Sequence, residues 1–276
     1  MNTVRDTALR WRAERRPAVV VEVTRSQGSV PREAGTRMLV SAEAVCGTIG
    51  GGHLEWQAIA DARALLARGA AAVAPPEQRI ALGPSLGQCC GGVLSLRLAW
   101  LAECDPAAWS EAAPRFTLQL YGAGHVGRAV VRLLVGLPCR VLWIDERESE
   151  FPSEALPPHI RPLCVEPVQA EVAAALTGTY FLVLTHSHAL DLALAQAILA
   201  RGDFGWFGLI GSRSKRARFE HRLRERGFDA ALVERITCPI GLPGIAGKEP
   251  EVIALAVVAQ MVQAAAAQAT SLKPGA

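Results

Sequence analysis

The chain has 276 residues, of which 50% are hydrophobic and 20% are charged, and its formal net charge is +3. This length allows one or two domains, and the composition is typical of a soluble globular protein and excludes fibrous and low-complexity classes. The first residues lack the apolar core of a signal peptide, and the seven cysteines include no CxxC pair. We therefore expect a cytoplasmic protein that works in a reducing environment.

The first hundred residues predict an α+β domain with antiparallel strands. A charged helix over residues 2–15 is followed by strand-like runs at 18–24, 38–40 and 44–49 without helices between them. Gly50, Gly51 and Gly52 then precede a helix over 54–68, and a strand–glycine–helix junction is a potential anion cradle. The alternative is that the three glycines only form a tight turn, and both interpretations remain open.

A glycine-rich loop between strand-like runs at 79–82 and 93–100 carries the adjacent cysteines Cys89 and Cys90. Neighbouring side chains in an extended segment point to opposite sides, so at most one of these thiols addresses a given pocket. The alternative is that one cysteine packs as a small hydrophobic residue and the other has no role. The proline-containing residues 102–114 predict a linker, which places the two domains at residues 1–104 and 115–276.

The second domain opens with an apolar run, a glycine turn at Gly122, Gly124 and Gly127, and an amphipathic helix. In a dinucleotide-binding turn the first glycine permits the bend, the second lets the backbone approach a pyrophosphate, and the third allows close helix packing. Asp145 ends the next apolar run, about 20 residues on, where the partner of a ribose hydroxyl belongs. Arg147 leaves the choice between NAD and NADP open. The pattern predicts a Rossmann-like fold.

Strand-like and helical patterns alternate through the rest of the chain. Strands are predicted at 161–165, 180–185 and 205–210, and helices at 168–176, 189–200, 213–226 and 249–267. This order predicts a parallel sheet with helices on both faces, so the fold class is α/β. The last helix is apolar but interrupted by glutamines, which favours packing on the protein over a membrane span. We take Trp109 and Trp206 as exposed apolar residues that favour a homodimer.

A histidine motif follows one of these predicted strands. His186, His188 and Asp191 resemble part of a metal site, because imidazole and carboxylate ligands suit several divalent ions. A third histidine at a suitable spacing is missing. Hydrogen bonding or helix capping is therefore the favoured interpretation, and we predict no metal site.

A basic helix start follows the next predicted strand. Ser212 or Ser214 is a potential cap, and Arg213 and Lys215 stand in the first turn of the helix, at the positive end of its dipole. We expect a phosphate or another anion there. Nucleic acid is a poorer candidate, because the basic stretch lacks interleaved aromatic residues. Cys238 lies on a later loop, and we expect it to point into the same cleft as the other loops.

Three stretches are specific in combination with the turn at 122–127. They are Gly28-Ser-Val-Pro-Arg with Gly47-Thr-Ile-Gly-Gly-Gly-His-Leu-Glu; Gln88-Cys-Cys-Gly-Gly; and Ile210-Gly-Ser-Arg-Ser-Lys with Cys238-Pro-Ile-Gly-Leu and Lys248-Glu-Pro-Glu. Together they span nearly the whole chain. The chain resembles the XdhC/CoxI family of accessory proteins for xanthine dehydrogenase and related molybdenum hydroxylases.

The resemblance implies a chaperone that binds the molybdenum cofactor (molybdopterin), protects it and supports its sulfuration by a cysteine desulfurase. It also implies delivery to apo-xanthine dehydrogenase or a related hydroxylase, and no turnover by the protein itself. Combining the family motifs with the Rossmann-type turn, we predict the following cofactor-binding residues: Gly50, Gly51, Gly52, Cys89, Cys90, Gly122, Gly124, Gly127, Asp145, Ser212, Arg213 and Lys215.

Two other functions remain open from the sequence. An NAD(P)-dependent oxidoreductase would use the glycine turn and Asp145, with Tyr180, His186 or His188 as its proton donor. A thiol or metal protein would use the paired cysteines with these histidines, although the standard ligand spacing is missing.

Overall fold

A computed structural model describes residues 3–82, 91–109 and 113–271. Cys89 and Cys90 lie outside the described residues. The chain divides into two compact units on either side of residues 110–112, and each unit has its own sheet and its own hydrophobic cores. Two short 3-10 helices, Leu101–Glu103 and Pro106–Ala108, occupy part of the predicted linker.

The N-terminal unit is an antiparallel sheet with one helix on each face. Its elements are α1 (Val4–Ala13), β1 (Val19–Gln27), β2 (Arg37–Val40), β3 (Val45–Gly47), α2 (Gly52–Ala67), β4 (Gln78–Ala81) and β5 (Val93–Trp100). The strands lie in the order β3-β2-β1-β5-β4, and every pair is antiparallel. The antiparallel α+β architecture predicted for this half is confirmed.

Strand alternation decides which helix covers which face of this sheet. Val21 and Leu96 point to the face that α2 covers with Leu54 and Leu65. The neighbouring residues of the strands point to the other face, where Trp11 of α1 completes a smaller core.

The second unit is a parallel sheet with helices on both faces. Its elements are β6 (Thr117–Tyr121), α3 (His125–Leu134), β7 (Arg140–Asp145), β8 (Ile160–Cys164), β9 (Tyr180–Val183), α4 (His188–Arg201), β10 (Trp206–Leu209), α5 (Arg213–Glu225), α6 (Ala230–Glu234), β11 (Ile236–Thr237) and α7 (Pro250–Ser271). The strand order is β11-β10-β9-β6-β7-β8. Counted from β6, this is the order 3-2-1-4-5-6 of dinucleotide-binding folds, and the predicted Rossmann-like domain is confirmed.

The two faces of the parallel sheet carry separate cores. Leu118 and Leu120 of β6 face α3 and α7, whereas Phe181 and Val183 of β9 face α4 and α5. By length and composition alone, α7 is apolar enough to cross a membrane. In the fold, its side chains at Ala254, Val257 and Met261 are fully buried in the core that it shares with α3.

Some sequence expectations were wrong in detail. The helix predicted over 168–176 is only a 3-10 helix at Val168–Val172, because two buried valines anchor a short crossover between β8 and β9. Trp206 is buried against Tyr180, and the Trp109 ring lies under the guanidinium of Arg37, 4.9 Å away. Neither tryptophan is therefore a freely exposed apolar residue. The two tryptophans no longer support the prediction of a homodimer. The elements α6 and β11 are too short to show a period in the sequence.

Candidate functional site

The candidate site lies where the connections of the parallel sheet diverge. The chain leaves β6 toward α3 on one face and leaves β9 toward α4 on the other. The carboxyl ends of two such adjacent strands form the crevice in which open α/β sheets bind their ligands. A narrow crevice at this point is lined by residues of β6, β7 and the segment after β9, among them Tyr121, Gly122, Asp145, Glu146, Thr185 and His186.

The three glycines of the turn have different physical reasons for being glycine. A Cβ atom on Gly122, at φ 118°, would collide with the carbonyl oxygen of Leu184, and one on Gly127 would collide with the carbonyl oxygen of Gly122. These two positions are fixed by close packing. At Gly124 a Cβ atom would meet no described atom within 4 Å. Gly124 is also the N-cap of α3, where no side chain of the described residues accepts a hydrogen bond. The start of α3 is therefore approachable by an anion.

Asp145 at the end of β7 is bound by its own chain. Its Oδ2 accepts hydrogen bonds from the Ala123 amide at 2.7 Å and from Nη2 of Arg147 at 3.0 Å. Its Oδ1 accepts from the Arg147 amide at 3.0 Å and from Nε of Arg147 at 2.9 Å. Burial acts to raise the pKa of this carboxyl, but these hydrogen bonds outweigh it and the pKa is lowered. A ribose hydroxyl would have to compete with Arg147 for this carboxylate.

The triple glycine at the start of α2 binds the carboxylate of Glu55. Gly50, Gly51 and Gly52 all have positive φ values, of 122°, 76° and 69°. Oε2 of Glu55 accepts hydrogen bonds from the Thr48 hydroxyl at 2.5 Å and from the amides of Ile49 at 2.9 Å and Gly51 at 3.0 Å. Burial acts to raise the pKa of Glu55, but these donors outweigh it and the pKa is lowered. Both interpretations of the triple glycine therefore apply: the segment forms a tight turn, and the anion that it binds is the Glu55 carboxylate of the chain itself.

The start of α5 contains a buried ion pair. Ser212 caps the helix by accepting a hydrogen bond from the Lys215 amide at 3.2 Å. Nζ of Lys215 donates to Oδ2 of Asp191 at 2.5 Å and to the carbonyl of Ile210 at 2.8 Å. Lys215 and Asp191 are 5% and 1% exposed, so this charge points into the protein. Arg213 is exposed and has no ion-pair partner within the described part of the chain.

Hydrogen bonds and a helix cap hold the histidine motif after β9. Oδ1 of Asp191 accepts hydrogen bonds from the Thr185 amide at 3.1 Å and its hydroxyl at 2.7 Å, and Ser187 caps α4. Over residues 3–82, 91–109 and 113–271, no group of three metal-ligating side chains converges. Hydrogen bonding and capping, the favoured interpretation of this motif, agree with the structure.

Sequence reasoning missed one residue of the crevice and misplaced another. Nε2 of His186 lies 3.5 Å from Oε1 of Glu146, and both side chains line the crevice. Glu146 could have been identified from the sequence, because it directly follows Asp145 at the carboxyl end of β7. Cys238 directly follows β11 at the carboxyl edge of the sheet, but it does not line the crevice: its side chain is buried in the core beside α5, where burial raises the pKa of its thiol.

Two family models match the chain. The model of the XdhC Rossmann domain matches residues 118–261, and the model of the XdhC and CoxI family matches residues 11–74. A curated relative, the uncharacterized protein YqeB of Escherichia coli strain K12, is 29% identical over 253 residues, which are 90% of this chain but 43% of YqeB. The chain therefore spans less than half the length of this relative.

A solved structure shares the fold over almost the full length. It is a Bacillus halodurans protein described as a xanthine dehydrogenase, and it is 17% identical with a TM-score of 0.72. The alignment covers 99% of this chain and 98% of that one.

Proposed function

Because this chain belongs to the XdhC family, we propose that it acts in the maturation of xanthine dehydrogenase or a related molybdenum hydroxylase. In this proposal it binds the molybdenum cofactor, protects it, supports its sulfuration by a cysteine desulfurase and delivers it to the apo-hydroxylase. The protein works in the cytoplasm, as a homodimer, and does not transform the cofactor by turnover of its own.

The residues at the start of α3 fit one part of such a ligand. Molybdopterin carries a phosphate, a hydrogen-bonding pterin and a dithiolene-bound metal, and the metal centre supplies the chemistry of the client enzyme. A phosphate suits the approachable start of α3 at Gly124, where free N–H groups and the positive end of the helix dipole converge. The thiols of Cys89 and Cys90 provide the soft ligand type that the metal end prefers.

The single observation that carries the proposal is the open position at Gly124. The amides of Gly51 and Ala123 donate to carboxylates of the chain, and those of Gly50 and Gly122 donate to the Thr48 hydroxyl and the Ile144 carbonyl. Gly124, by contrast, combines an uncapped helix start with space for a ligand. Gly124 also lies at the switch point of the sheet, where this fold places its ligands.

The alternative, an NAD(P)-dependent oxidoreductase, draws support from the strand order and from the same helix start. Its weak point is Asp145, because both carboxylate oxygens already accept hydrogen bonds from Arg147. The arginine that would favour NADP is engaged in the same ion pair. Asp145 was also predicted to bind the cofactor of the carrier, but the carrier keeps its phosphate site at Gly124 without that carboxylate, and we therefore prefer it.

Purification from cells that make molybdopterin tests the proposal. We expect bound pterin with the unaltered chain, loss of pterin in Gly124→Val and in Cys89→Ala/Cys90→Ala, and retention in Gly136→Val. Gly136 is a suitable control because a Cβ atom there would lie 4.0 Å from its nearest described neighbour, the carbonyl oxygen of Leu133. Recovery of NAD(P) without pterin, abolished by Gly124→Val alone, would contradict the carrier and favour the oxidoreductase.

A further inference from the structure

A second candidate ligand site lies on the antiparallel sheet of the N-terminal unit. Along β5, the leucines at 94, 96 and 98 belong to the core under α2, whereas Ser95 and Arg97 point to the opposite face. The apolar contacts of α1 on that opposite face involve Val20 and Leu39, at one end of the sheet. The rest of this face carries polar side chains.

The first row of this polar face is neutralised internally. Glu22 of β1 lies opposite Arg37 of β2 and Arg97 of β5, and its two carboxylate oxygens accept one hydrogen bond from each arginine, both at 2.5 Å. Glu22 has a largely buried side chain, so both guanidinium groups are held in place. This row carries one net positive charge and is engaged in its own ion pairs.

The second row differs, because its arginines have no such partner. Arg25 of β1 and Arg79 of β4 both lie opposite Ser95 of β5, so the three residues share one face. With two strand spacings between them, the Cα atoms of the two arginines are roughly 10 Å apart. Neither guanidinium has an ion-pair or hydrogen-bond partner among the residues that the structure describes. Both side chains are exposed.

These two arginines line a pocket of about 680 Å³, together with Thr24, Ser26, Gln27 and Ser95. That volume is in the range of small-molecule sites. A break in the β1–β5 register between Val23 and Arg25 accompanies the pocket, and bulges of this kind re-aim side chains beside functional sites.

Local hydrogen bonds fix the wall of this pocket. The Thr24 hydroxyl donates to the carbonyl of Ser95 at 3.3 Å, and the Ala34 amide donates to the Ser26 hydroxyl at 3.2 Å. The Ser26 hydroxyl donates to Glu33 at 3.2 Å, which places one negative charge on the rim. Two unpaired guanidinium groups therefore line a pocket with both polar walls and apolar walls, the latter formed by Ala34, Val93 and Leu94, and one carboxylate lies nearby.

We propose that this pocket binds a phosphorylated small molecule, with Arg25 and Arg79 holding its phosphate group. Guanidinium groups match phosphate in charge and in bidentate geometry, and two of them balance the double negative charge of a phosphomonoester. The row of Arg37 and Arg97 is a poorer anion site, because Glu22 already occupies both. This site lies in the N-terminal unit and goes beyond the proposed function, which places the phosphate of its cofactor at the start of α3 in the second unit.

A titration of the full chain with inorganic phosphate at constant ionic strength tests the proposal, with the amide resonances of residues 24–27 as the readout. We expect saturable shifts, and a dissociation constant at least about tenfold weaker in Arg25→Gln/Arg79→Gln. The matched control is Arg63→Gln/Arg68→Gln, which removes two exposed arginines of the α2 region of the same unit. This control should bind phosphate as the unaltered chain does.

Three results would overturn the proposal: no saturable shift, equal affinity in Arg25→Gln/Arg79→Gln, or the same shifts with chloride alone. The charge-preserving variant Arg79→Lys provides a second test, because lysine keeps the charge but loses the bidentate geometry. Its affinity should fall between those of the unaltered chain and the double variant. A melting temperature close to that of the unaltered chain will show that each variant is folded.

Discussion

Three carboxylates decide which of the predicted anion sites remain open to a ligand. Glu55 binds the donors of the triple-glycine turn, Asp145 binds the Ala123 amide of the Rossmann turn, and Asp191 binds Lys215. A sequence shows the glycines and the basic residues of such a site, but it does not show which acidic side chain folds back onto them. Gly124, at the uncapped start of α3, and Arg213, which has no ion-pair partner in the described part of the chain, carry no such internal carboxylate.

Asp145→Asn tests the ion pair between Asp145 and Arg147. Because the pKa of Asp145 is lowered below 3.8 in the folded protein, its contribution to stability is complete above that value and is lost as the pH falls through the folded pKa. We expect the variant to lose about 2 kcal/mol in free energy of unfolding at pH 7. The difference from the unaltered chain should shrink below pH 3.8.

Denaturant unfolding at several pH values measures this effect. Glu148→Gln is the matched control, because Glu148 is exposed and lies only three positions further along the chain. A loss of stability that stays constant down to acidic pH would show that the charge of Asp145 does not matter.

Lys215→Met tests the buried pair at the start of α5. The variant leaves Asp191 charged, buried and without its main partner, so we expect the free energy of unfolding to fall by about 3–5 kcal/mol. Arg213→Met changes an exposed arginine of the same helix turn and should stay within about 0.5 kcal/mol. Equal effects of both substitutions in denaturant unfolding would contradict the structural role of Lys215.

In the glycine turn before α3, close packing requires glycine at residues 122 and 127, whereas residue 124 leaves space for a ligand. The existence of the turn and of α3 followed from the sequence, because the spacing of the glycines and the apolar face of the helix are both local signals. The separate reasons for each glycine did not follow, since they depend on the carbonyl oxygens of Leu184 and Gly122. The short elements α6 and β11 were also invisible, because five residues or fewer carry no period.

Gly127→Ala and Gly124→Ala should therefore behave differently. The methyl group at residue 127 would collide with the backbone of Gly122, and we expect a loss of about 1–3 kcal/mol in free energy of unfolding. At residue 124 there is space for the methyl group, so the stability should change by less than about 1 kcal/mol. Thermal and denaturant unfolding of the two variants measure this contrast. Similar losses at both positions would show that the turn is not packed as described.

At the level of the whole protein, the architecture could be predicted and the ligand contacts could not. The alternation of strands and helices after residue 116 predicted the parallel sheet, and the runs without helices before residue 100 predicted the antiparallel one. These patterns are local, and they determine which elements can pair. The ion pairs of Glu22 with Arg97 and of Asp191 with Lys215 join residues whose proximity arises only from the fold, so they had no local signal.

The paired cysteines Cys89 and Cys90 belong to the predicted ligand contacts. Cys89 and Cys90 lie outside the described residues, so their predicted role in holding the metal end of the cofactor remains a prediction. The chain on either side of this segment is anchored, because the Leu82 amide donates to the carbonyl of Gly92 at 2.8 Å and the Gly92 amide donates to the carbonyl of Ser29 at 3.1 Å. The double cysteine variant proposed above therefore changes residues that lie between Leu82 and Gly92, which are both held by backbone hydrogen bonds.

The most direct test of the carrier hypothesis is transfer of the cofactor to a client. Chain purified with bound pterin is mixed with apo-xanthine dehydrogenase, and hydroxylase activity is followed over time beside an equal amount of free cofactor. The hypothesis predicts faster and more complete activation by the loaded chain, and none by Gly124→Val purified in the same way. Activation no better than that by free cofactor would contradict it.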